Sequence, residues 1–586
     1  MDRRWVIEEQ PAEQVASLSR ALGVSPITAH VLLNRGEADA DSARDFLRPV
    51  LGMLTDPMQV PALREAAERL SRAVREGRKI TVYGDYDVDG MAATCILVRC
   101  LRGAGGDVDY YVPLRDSEGY GLNADALEDI RRAGSEVVVT VDCGTTAFEE
   151  ARRAAELGLE LIVTDHHEPE ESLPEAAVVC NPKWRDSGFA FRELSGAGVA
   201  FKLAWALARV LSGEEKVTAE FRDFLVSAVS LVSLGTVADV VPLRGENRVF
   251  AHYGLRALAE CEDPGLRALL DVTRLTGRTL SSYDIGFKVA PRLNAAGRMG
   301  DARRGIDLLL AERYEDARAI AEDLDRVNTA RRKVQDEMLA EAEAALEETF
   351  EAERDHFIVL SSDRWRRGVV GIVASKIAER YWRPTVLLAA EDDVAHGSGR
   401  SVGRFNLLEA LSECRDVLLT LGGHARAAGL SVAVERIAEF RERVNGVTAA
   451  QWAEDDRAPS MRVDREAALE ELTEPVVREL GKLAPFGEAN PRPVLASRGV
   501  RVVGSPQIMG SRQQHLDFLV RHGDATLRAV WFGAARRLDE IHAGLSATMD
   551  VAYEPRINDY RGRVEVELRV RDVKLPGPAD AGIRQA

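Results

Sequence analysis

The sequence predicts an α/β protein of several domains: a parallel-sheet domain, joined by a long helix to a second α/β domain, and a β-barrel tail. Three observations carry this reading. From Lys79 onward, short apolar runs alternate with helix-like stretches, the signature of β-α-β units. Residues 311–353 are charged, alanine-rich and free of Gly and Pro, as a connecting helix requires. From about Pro493, short alternating runs recur at the spacing of a small barrel or sandwich.

The 586 residues exceed one ordinary core and suggest roughly three or four domains. Hydrophobic residues at 46% and charged residues at 29% exclude a largely disordered or fibrous chain. The net charge of -18 disfavours polyanions globally, so a nucleic-acid role would need a local basic groove. Six cysteines without a C-x-x-C pair argue against a zinc ribbon or disulfide scaffold and suit a reducing, cytoplasmic setting. The opening MDRRWVIEEQ lacks the apolar core of a signal peptide. Residues 224–243 imitate a membrane span, with Asp239 as the single charge. Recurring serines, Gly235 and Pro242 favour a buried helix followed by a turn, and no membrane partner is expected.

In chain order, residues 1–77 read as a helical region, with Asp41-Ser42 capping the helix at 43–47. Residues 78–310 carry strand runs at 80–83, 108–112, 137–141, 161–164 and 177–180, separated by helix-like stretches. Residues 311–353 form a long exposed helix. The second lobe, 354–455, has strands at 357–360 and 385–389, a helix at 369–381 and glycine-rich stretches at 397–400 and 422–424. Residues 456–586 form the β-rich tail.

The densest chemistry follows the first strand. Asp85, Asp87 and Asp89 alternate, so in an extended segment they converge on one patch, where their repulsion calls for a cation. An EF-hand shares D-x-D-x-D-G, but its twelfth residue would be Ile96 rather than Glu, and a strand precedes the loop. Asp85, Asp142 and Asp165 each end a strand run, where an open parallel sheet forms its ligand crevice. A helix cap is the alternative for each taken alone. Asp165-His166-His167 joins imidazole to carboxylate, which suits manganese, iron or zinc and leaves magnesium open. Adjacent histidines point apart, so one can bind metal while the other meets substrate as phosphate donor or proton shuttle.

Weaker signals lie downstream. The turn Gly422-Gly423-His424 could cradle phosphate on its backbone amides, with His424 and Arg426 as added donors, or serve as a tight structural turn. In the tail, Trp531, Phe532, Tyr553 and Tyr560 interleave with Arg528, Arg556 and Arg561, a mixture suited to stacking bases and tracking phosphates. Trp531 and Tyr553 sit in strand-like runs and read first as core.

GDYDVDG at 84–90, VDCGTT at 141–146, TDHH at 164–167 and GTVADVVPL at 235–243 resemble, in order, the metal-site motifs of the DHH phosphoesterase superfamily. Further matches, VPLRDSEGYGLN at 112–123, RLNAAGRMGDA at 292–302, GVVGIVASKIAERY at 368–381, GSGRS at 397–401, GGHARAAG at 422–429 and PFGEANPRP at 485–493, are similar to the bacterial RecJ exonucleases within it. The resemblance implies a parallel-sheet DHH domain, an α/β DHHA1 domain and an OB-like barrel. It implies two divalent cations, Mn2+ or Mg2+, and no other cofactor, with Asp85, Asp87, Asp89, Asp142, His166 and Asp239 as ligands and Asp142 as a bridge. His167 matches the residue that contacts the scissile phosphate and, with Asp142 and Asp165, forms the catalytic set. Relatives often carry histidine where Tyr83 stands, which leaves that metal's shell to Asp85 or water. Arg115, Arg298, Ser398, Arg400, Gly423 and His424 are the implied substrate contacts. The implied activity is 5'-to-3' hydrolysis of single-stranded DNA to mononucleotides in recombination and repair, with a helicase and a single-strand-binding protein as partners. A small-phosphoester or short-oligonucleotide hydrolase, and a non-catalytic single-strand-binding relative, are the alternatives.

Overall fold

The structure, a computed structural model, describes residues 3–115, 118–213, 216–452, 457–560 and 563–575. The chain divides into two compact units, residues 51–457 and residues 1–50 with 458–586.

The first unit is built on five parallel strands: β1 (Ile80–Gly84), β2 (Val108–Tyr111), β3 (Val137–Val141), β4 (Glu160–Thr164) and β5 (Val178–Cys180), in the order β2-β1-β3-β4-β5. Every residue of β1 and β3 is buried, as expected of parallel strands covered on both faces. The chain leaves β1 toward β2 on one side and returns to β3 on the other. The topological switch point, where α/β sheets open their crevice, therefore falls between β1 and β3. Helix α1 (Val88–Gly103), running out of the first acidic loop, is buried along most of its length and packs against α2 (Gly196–Ser212) and α3 (Ala219–Ala238). Helix α3 is long and apolar enough to cross a bilayer, yet 56% of its most apolar window is buried inside the protein, so it serves as a core helix that stops at Asp239.

Helix α4 (Ala290–Met299) leads to the long connector α5 (Tyr314–Thr349), whose 36 residues span about 54 Å. The connector is not exposed all round, as its composition suggests. One face is buried, and beside Leu324, Met338, Leu346 and three alanines it includes Asn328, Arg331 and Gln335, which a hydropathy pattern scores as solvent. A second sheet follows, with β6 (Ile358–Ser362), β7 (Thr385–Glu391), β8 (Val394–Arg400), β9 (Leu418–His424) and β10 (Ala427–Ala433) in the order β9-β10-β8-β7-β6. Only β6 and β7 pair in parallel. Helix α6 (Arg367–Tyr381) packs on β7, β8 and α5.

The second unit is a closed barrel of β11 (Leu495–Met509), β12 (His515–His522), β13 (Ala525–Trp531), β14 (Met549–Tyr560) and β15 (Arg563–Lys574), in the order β11-β12-β13-β15-β14 with β14 returning to β11. The amino-terminal region is not wholly helical. Arg4–Ile7 is a strand paired in parallel with Ser460–Val463, a partner too distant in sequence for a local pattern to show. The cap of the helix Ala40–Leu47 is Asp39, which accepts from the amides of Asp41 and Ser42 at 2.9 Å each, rather than the Asp41-Ser42 pair. The six cysteines are free.

In the barrel, Trp531 and Tyr553 are core residues, whereas Phe532 is exposed with Arg569 over its ring. Arg528 is tied to Asp517 and Glu567, and Arg556 to Glu554, so neither meets the expectation of a free phosphate contact. The Tyr560 side chain and Arg561 lie outside the described residues.

Candidate metal centre and phosphate cradle

Strand ends deliver the acids. Asp85 follows β1, Asp142 follows β3 and Asp165 follows β4. Asp142 takes a left-handed φ of 63°, a costly conformation for a residue with a Cβ. It carries its carboxylate, 2% exposed as a residue, into the crevice. Asp87 caps α1, accepting from the amides of Asp89 and Gly90 at 2.9 and 3.0 Å. The cap reading is thus true of Asp87, but the same carboxylate also stands with Asp85 and Asp142 in a cluster whose donor atoms lie within 4.8 Å of one another.

A second cluster of the same compactness joins Asp89, His166 and Asp239, and a third joins Asp142, His166 and His167. Nε2 of His166 stands 3.0 Å from Asp142, 3.5 Å from Asp239 and 3.9 Å from Asp89. The chain holds Asp89 in place from a distance: the amides of Gly196 and Ala197, at the start of α2, donate to its two oxygens at 2.6 and 3.0 Å. Two glycines make room for this packing. A Cβ on Gly196 would lie 2.4 Å from an Asp142 oxygen, and one on Gly235 would lie 2.2 Å from an Asp89 oxygen.

The electrostatics are those of a site built for cations. Burial, followed by the charge of Asp87, pushes Asp85 up to about 8 and Asp89 up to about 7. Asp142 and Asp239 are likewise raised well above the carboxylate range, by burial and then by Asp89. Burial pushes His166 down to about 3, so its imidazole is neutral and able to ligate. Asp85 Oδ1, Asp142 Oδ1 and both His166 nitrogens are buried without a hydrogen-bond partner. Such orphaned donor atoms, oxygen-rich with one imidazole, fit manganese or magnesium.

His167 differs from its neighbour. Its Nδ1 lies 2.8 Å from Asp165, and the hydroxyl of Tyr120 stands 3.0 and 3.3 Å from its two ring nitrogens. Burial opposes its charge, but the Asp165 bond prevails and raises it to about 9. Asp165 is occupied by its own surroundings: Oδ2 accepts from the Thr145 amide at 2.9 Å, and Oδ1 from the amides of His166 and His167 at 2.7 and 3.1 Å. Among the expected catalytic residues, Asp165 is therefore placed as the group that orients the histidine turn. Tyr83 faces away from this chemistry. Its hydroxyl donates to the Gly121 carbonyl at 3.0 Å and its ring stacks on Tyr111. Asp85, its following neighbour but one, is the residue brought to the cluster.

Basic residues gather beside the acids. Arg115 lies over the Tyr86 ring at 4.9 Å. Burial and then the charges of Arg115, Arg331 and Arg400 press against the charge of Arg298. Arg400 is held by Ser398 Oγ and the Gly399 carbonyl, both at 2.7 Å. Arg115, Arg298 and Arg400, none with a carboxylate ion pair among the described residues, form a candidate phosphate cradle, whereas Arg331 is buried and held by Gln335 and Asn328.

The chain matches three family descriptions: DHH family, N-terminal domain, over residues 79–229; DHHA1 domain over 354–450; and RecJ OB domain over 463–572. It is 36% identical to the single-stranded-DNA-specific exonuclease RecJ of Bacillus subtilis, covering 98% of this chain and 71% of that one. The Escherichia coli exonuclease of the same name is 33% identical, with 98% and 100% covered. The crystal structure of RecJ in complex with Mn2+ from Thermus thermophilus superposes with a TM-score of 0.83 at 31% identity, over 98% of this chain and 80% of that one.

The chain belongs to the RecJ family.

In RecJ terms, the first sheet is the DHH domain, the second the DHHA1 domain and the barrel the OB domain. In the DHHA1 domain, Gly423 and His424 do not form an open nest. They are the end of β9, laddered against Ala428 and Ala427 of β10, because the glycines continue a hairpin rather than close a turn. His424 still belongs to the site's surroundings: burial and then Arg400 and His167 lower its proton affinity. Sequence reasoning missed Tyr120, Arg331 and the supporting Gly196. Tyr120 lies inside a quoted motif. Arg331 carries no signal beyond its charge, and Gly196 only the Ser195 cap of α2.

Proposed function

We propose that this chain degrades single-stranded DNA from the 5' end to mononucleotides, with two divalent cations, Mn2+ or Mg2+, in recombination and repair. The observation that carries the proposal is the pair of compact donor clusters, Asp85-Asp87-Asp142 and Asp89-His166-Asp239, linked by the 3.0 Å approach of His166 to Asp142 and set beside guanidinium groups without an acidic partner among the described residues. Asp85, Asp87 and Asp142 would hold one cation and Asp89, His166 and Asp239 the other. When bound, the cations neutralise the acids, supply hydroxide from water and stabilise charge on the attacking and leaving oxygens.

The protein's own groups do the rest. Asp165 holds His167 protonated beside the crevice, where it donates to the scissile phosphate. Arg115, Arg298 and Arg400, with Ser398, bind phosphates of the strand and fix its end, and His424 flanks them. The OB barrel adds single-strand contacts through surface groups such as Phe532. Domain limits of 78–310, 354–455 and 456–586, joined by the connector at 311–353, follow from the same reading. Residues 1–77 are divided between the two units. A cytoplasmic location, and a helicase and a single-strand-binding protein as partners, complete the proposal.

The test uses single strands labelled at one end, with the 5' end free or blocked, incubated with manganese, magnesium or chelator. Release of mononucleotides from free 5' ends, only with metal, is expected. Attack from 3' ends, or cleavage in chelator, would overturn the assignment.

A further inference from the structure

One tyrosine on the rim of the metal centre belongs neither to the ligand clusters nor to the phosphate cradle. Tyr120 is 50% exposed, yet its hydroxyl turns inward. The hydroxyl oxygen lies 3.3 Å from the Asp142 carbonyl oxygen, and 3.0 and 3.3 Å from Nδ1 and Nε2 of His167. It therefore touches two strand-end turns at once, the one after β3 and the one after β4.

Donor and acceptor roles follow from the partners. The Asp165 carboxylate accepts the Nδ1 hydrogen of His167 at 2.8 Å, and the Asp142 carbonyl can only accept. The Tyr120 hydrogen therefore goes to Asp142, and the hydroxyl oxygen turns its lone pairs toward the imidazole. A ring held by a carboxylate on one side and by a hydroxyl oxygen on the other has little freedom to rotate. Its Nε2 hydrogen is then the one left to meet a phosphate in the crevice.

The local backbone is built for this reach. Gly119 and Gly121 take left-handed φ values of 84° and 90°, which lets the chain bend sharply on both sides of Tyr120. Both ends of the bend are tied. The Tyr83 hydroxyl donates to the Gly121 carbonyl at 3.0 Å, and Glu118 accepts from the Tyr111 hydroxyl and the Leu114 amide. The Tyr120 ring meets His167 edge-on at 5.5 Å between centroids and Tyr86 at 6.4 Å. These ring contacts survive loss of the hydroxyl, so oxygen and ring can be tested apart.

We propose that Tyr120 is a positioning residue for the phosphate-contacting imidazole, its hydroxyl bridging the Asp142 carbonyl and the His167 ring so that His167 offers its hydrogen in one direction. The inference rests on the proposed nuclease activity and adds a residue to it. Tyr120 acts through His167 and ligates no cation. Its contribution is made as charge builds on the scissile phosphate rather than when the strand binds.

The experiment compares the full-length wild type with Tyr120→Phe, His167→Ala and the double variant, each loaded with Mn2+, on single strands labelled at the 3' end. Steady-state rates give KM and kcat, and single-turnover rates extend the comparison to the slow variants. Tyr120→Phe is expected to lower kcat about tenfold, the loss of one hydrogen-bonded contact to a charged group, with KM and Mn2+ affinity held within about twofold. In the His167→Ala background the same substitution changes the rate by less than about twofold, because the hydroxyl has no imidazole left to direct. An unchanged kcat, an equal loss with and without the imidazole, a loss confined to KM, or a fall in Mn2+ affinity matching the fall in kcat would overturn the inference. A wild type that fails to cleave single strands would instead overturn the nuclease assignment.

Discussion

His166 Nε2 and Asp142 Oδ1 lie 3.0 Å apart, both are buried, and neither makes a hydrogen bond. A neutral imidazole nitrogen and a carboxylate oxygen at that distance without a shared proton is an arrangement that a cation resolves. Asp142→Asn should therefore act in opposite directions on activity and on the metal-free fold. Metal-dependent hydrolysis should fall by ~100-fold or more, while the melting temperature without metal should rise by a few degrees, because an amide spares the fold the cost of holding a carboxyl whose charged form burial and neighbouring acids disfavour. Paired turnover and calorimetry check both signs.

The raised carboxyls predict a pH dependence. In the metal-free fold Asp85 and Asp89 titrate at about 8 and about 7, whereas unfolded carboxyls titrate near ~4. The folded chain therefore holds more protons than the unfolded chain between those values. Raising the pH through that window removes stability. Melting temperature in chelator should fall from pH 5 to pH 8. Over the same range Mn2+ should bind more tightly and displace fewer protons, which calorimetry in buffers of different ionisation enthalpy will read.

Gly196→Ala and Gly235→Ala place a methyl group 2.4 and 2.2 Å from oxygens of Asp142 and Asp89, where no flexible chain end can yield. Each should weaken Mn2+ binding tenfold or more. Circular dichroism should remain that of the wild type, since both residues lie in helices. Unaltered metal affinity would show that the two carboxylates have freedom the packing denies them.

Tyr83→Phe separates a structural tyrosine from a metal ligand. Loss of the bond to Gly121 should cost ~1 kcal/mol of stability in denaturant unfolding. Mn2+ affinity should stay within twofold. A large loss of affinity would place the phenol in the metal shell and shift the role given to Asp85.

What was legible in the sequence was whatever depends on local pattern. Strand runs followed by acids located Asp85, Asp142 and Asp165, because parallel strands are nearly continuous in apolar residues and their ends are abrupt. The division of labour among those acids was not legible. Asp165 and Asp142 both end a strand, and only the turn geometry shows that one is filled by backbone amides while the other is left open. Long-range partners were equally hidden: the amides that hold Asp89 come from residues 196 and 197, and Arg4–Ile7 pairs with a strand near residue 460. The buried face of the connector escaped because its middle is formed by Asn328, Arg331 and Gln335, which score as solvent and interrupt the apolar stripe of Leu324, Met338 and Leu346. The arginines of the barrel misled for the converse reason: Arg528 looks free until its cross-strand acids are seen.

The most direct test of the two-cation centre is a crystal structure of the full chain grown with Mn2+, with anomalous differences collected at the manganese edge. Two peaks are predicted, one among Asp85, Asp87 and Asp142 and one among Asp89, His166 and Asp239, with Asp142 in reach of both. A single peak, or peaks that leave His166 and Asp142 unligated, would contradict the account.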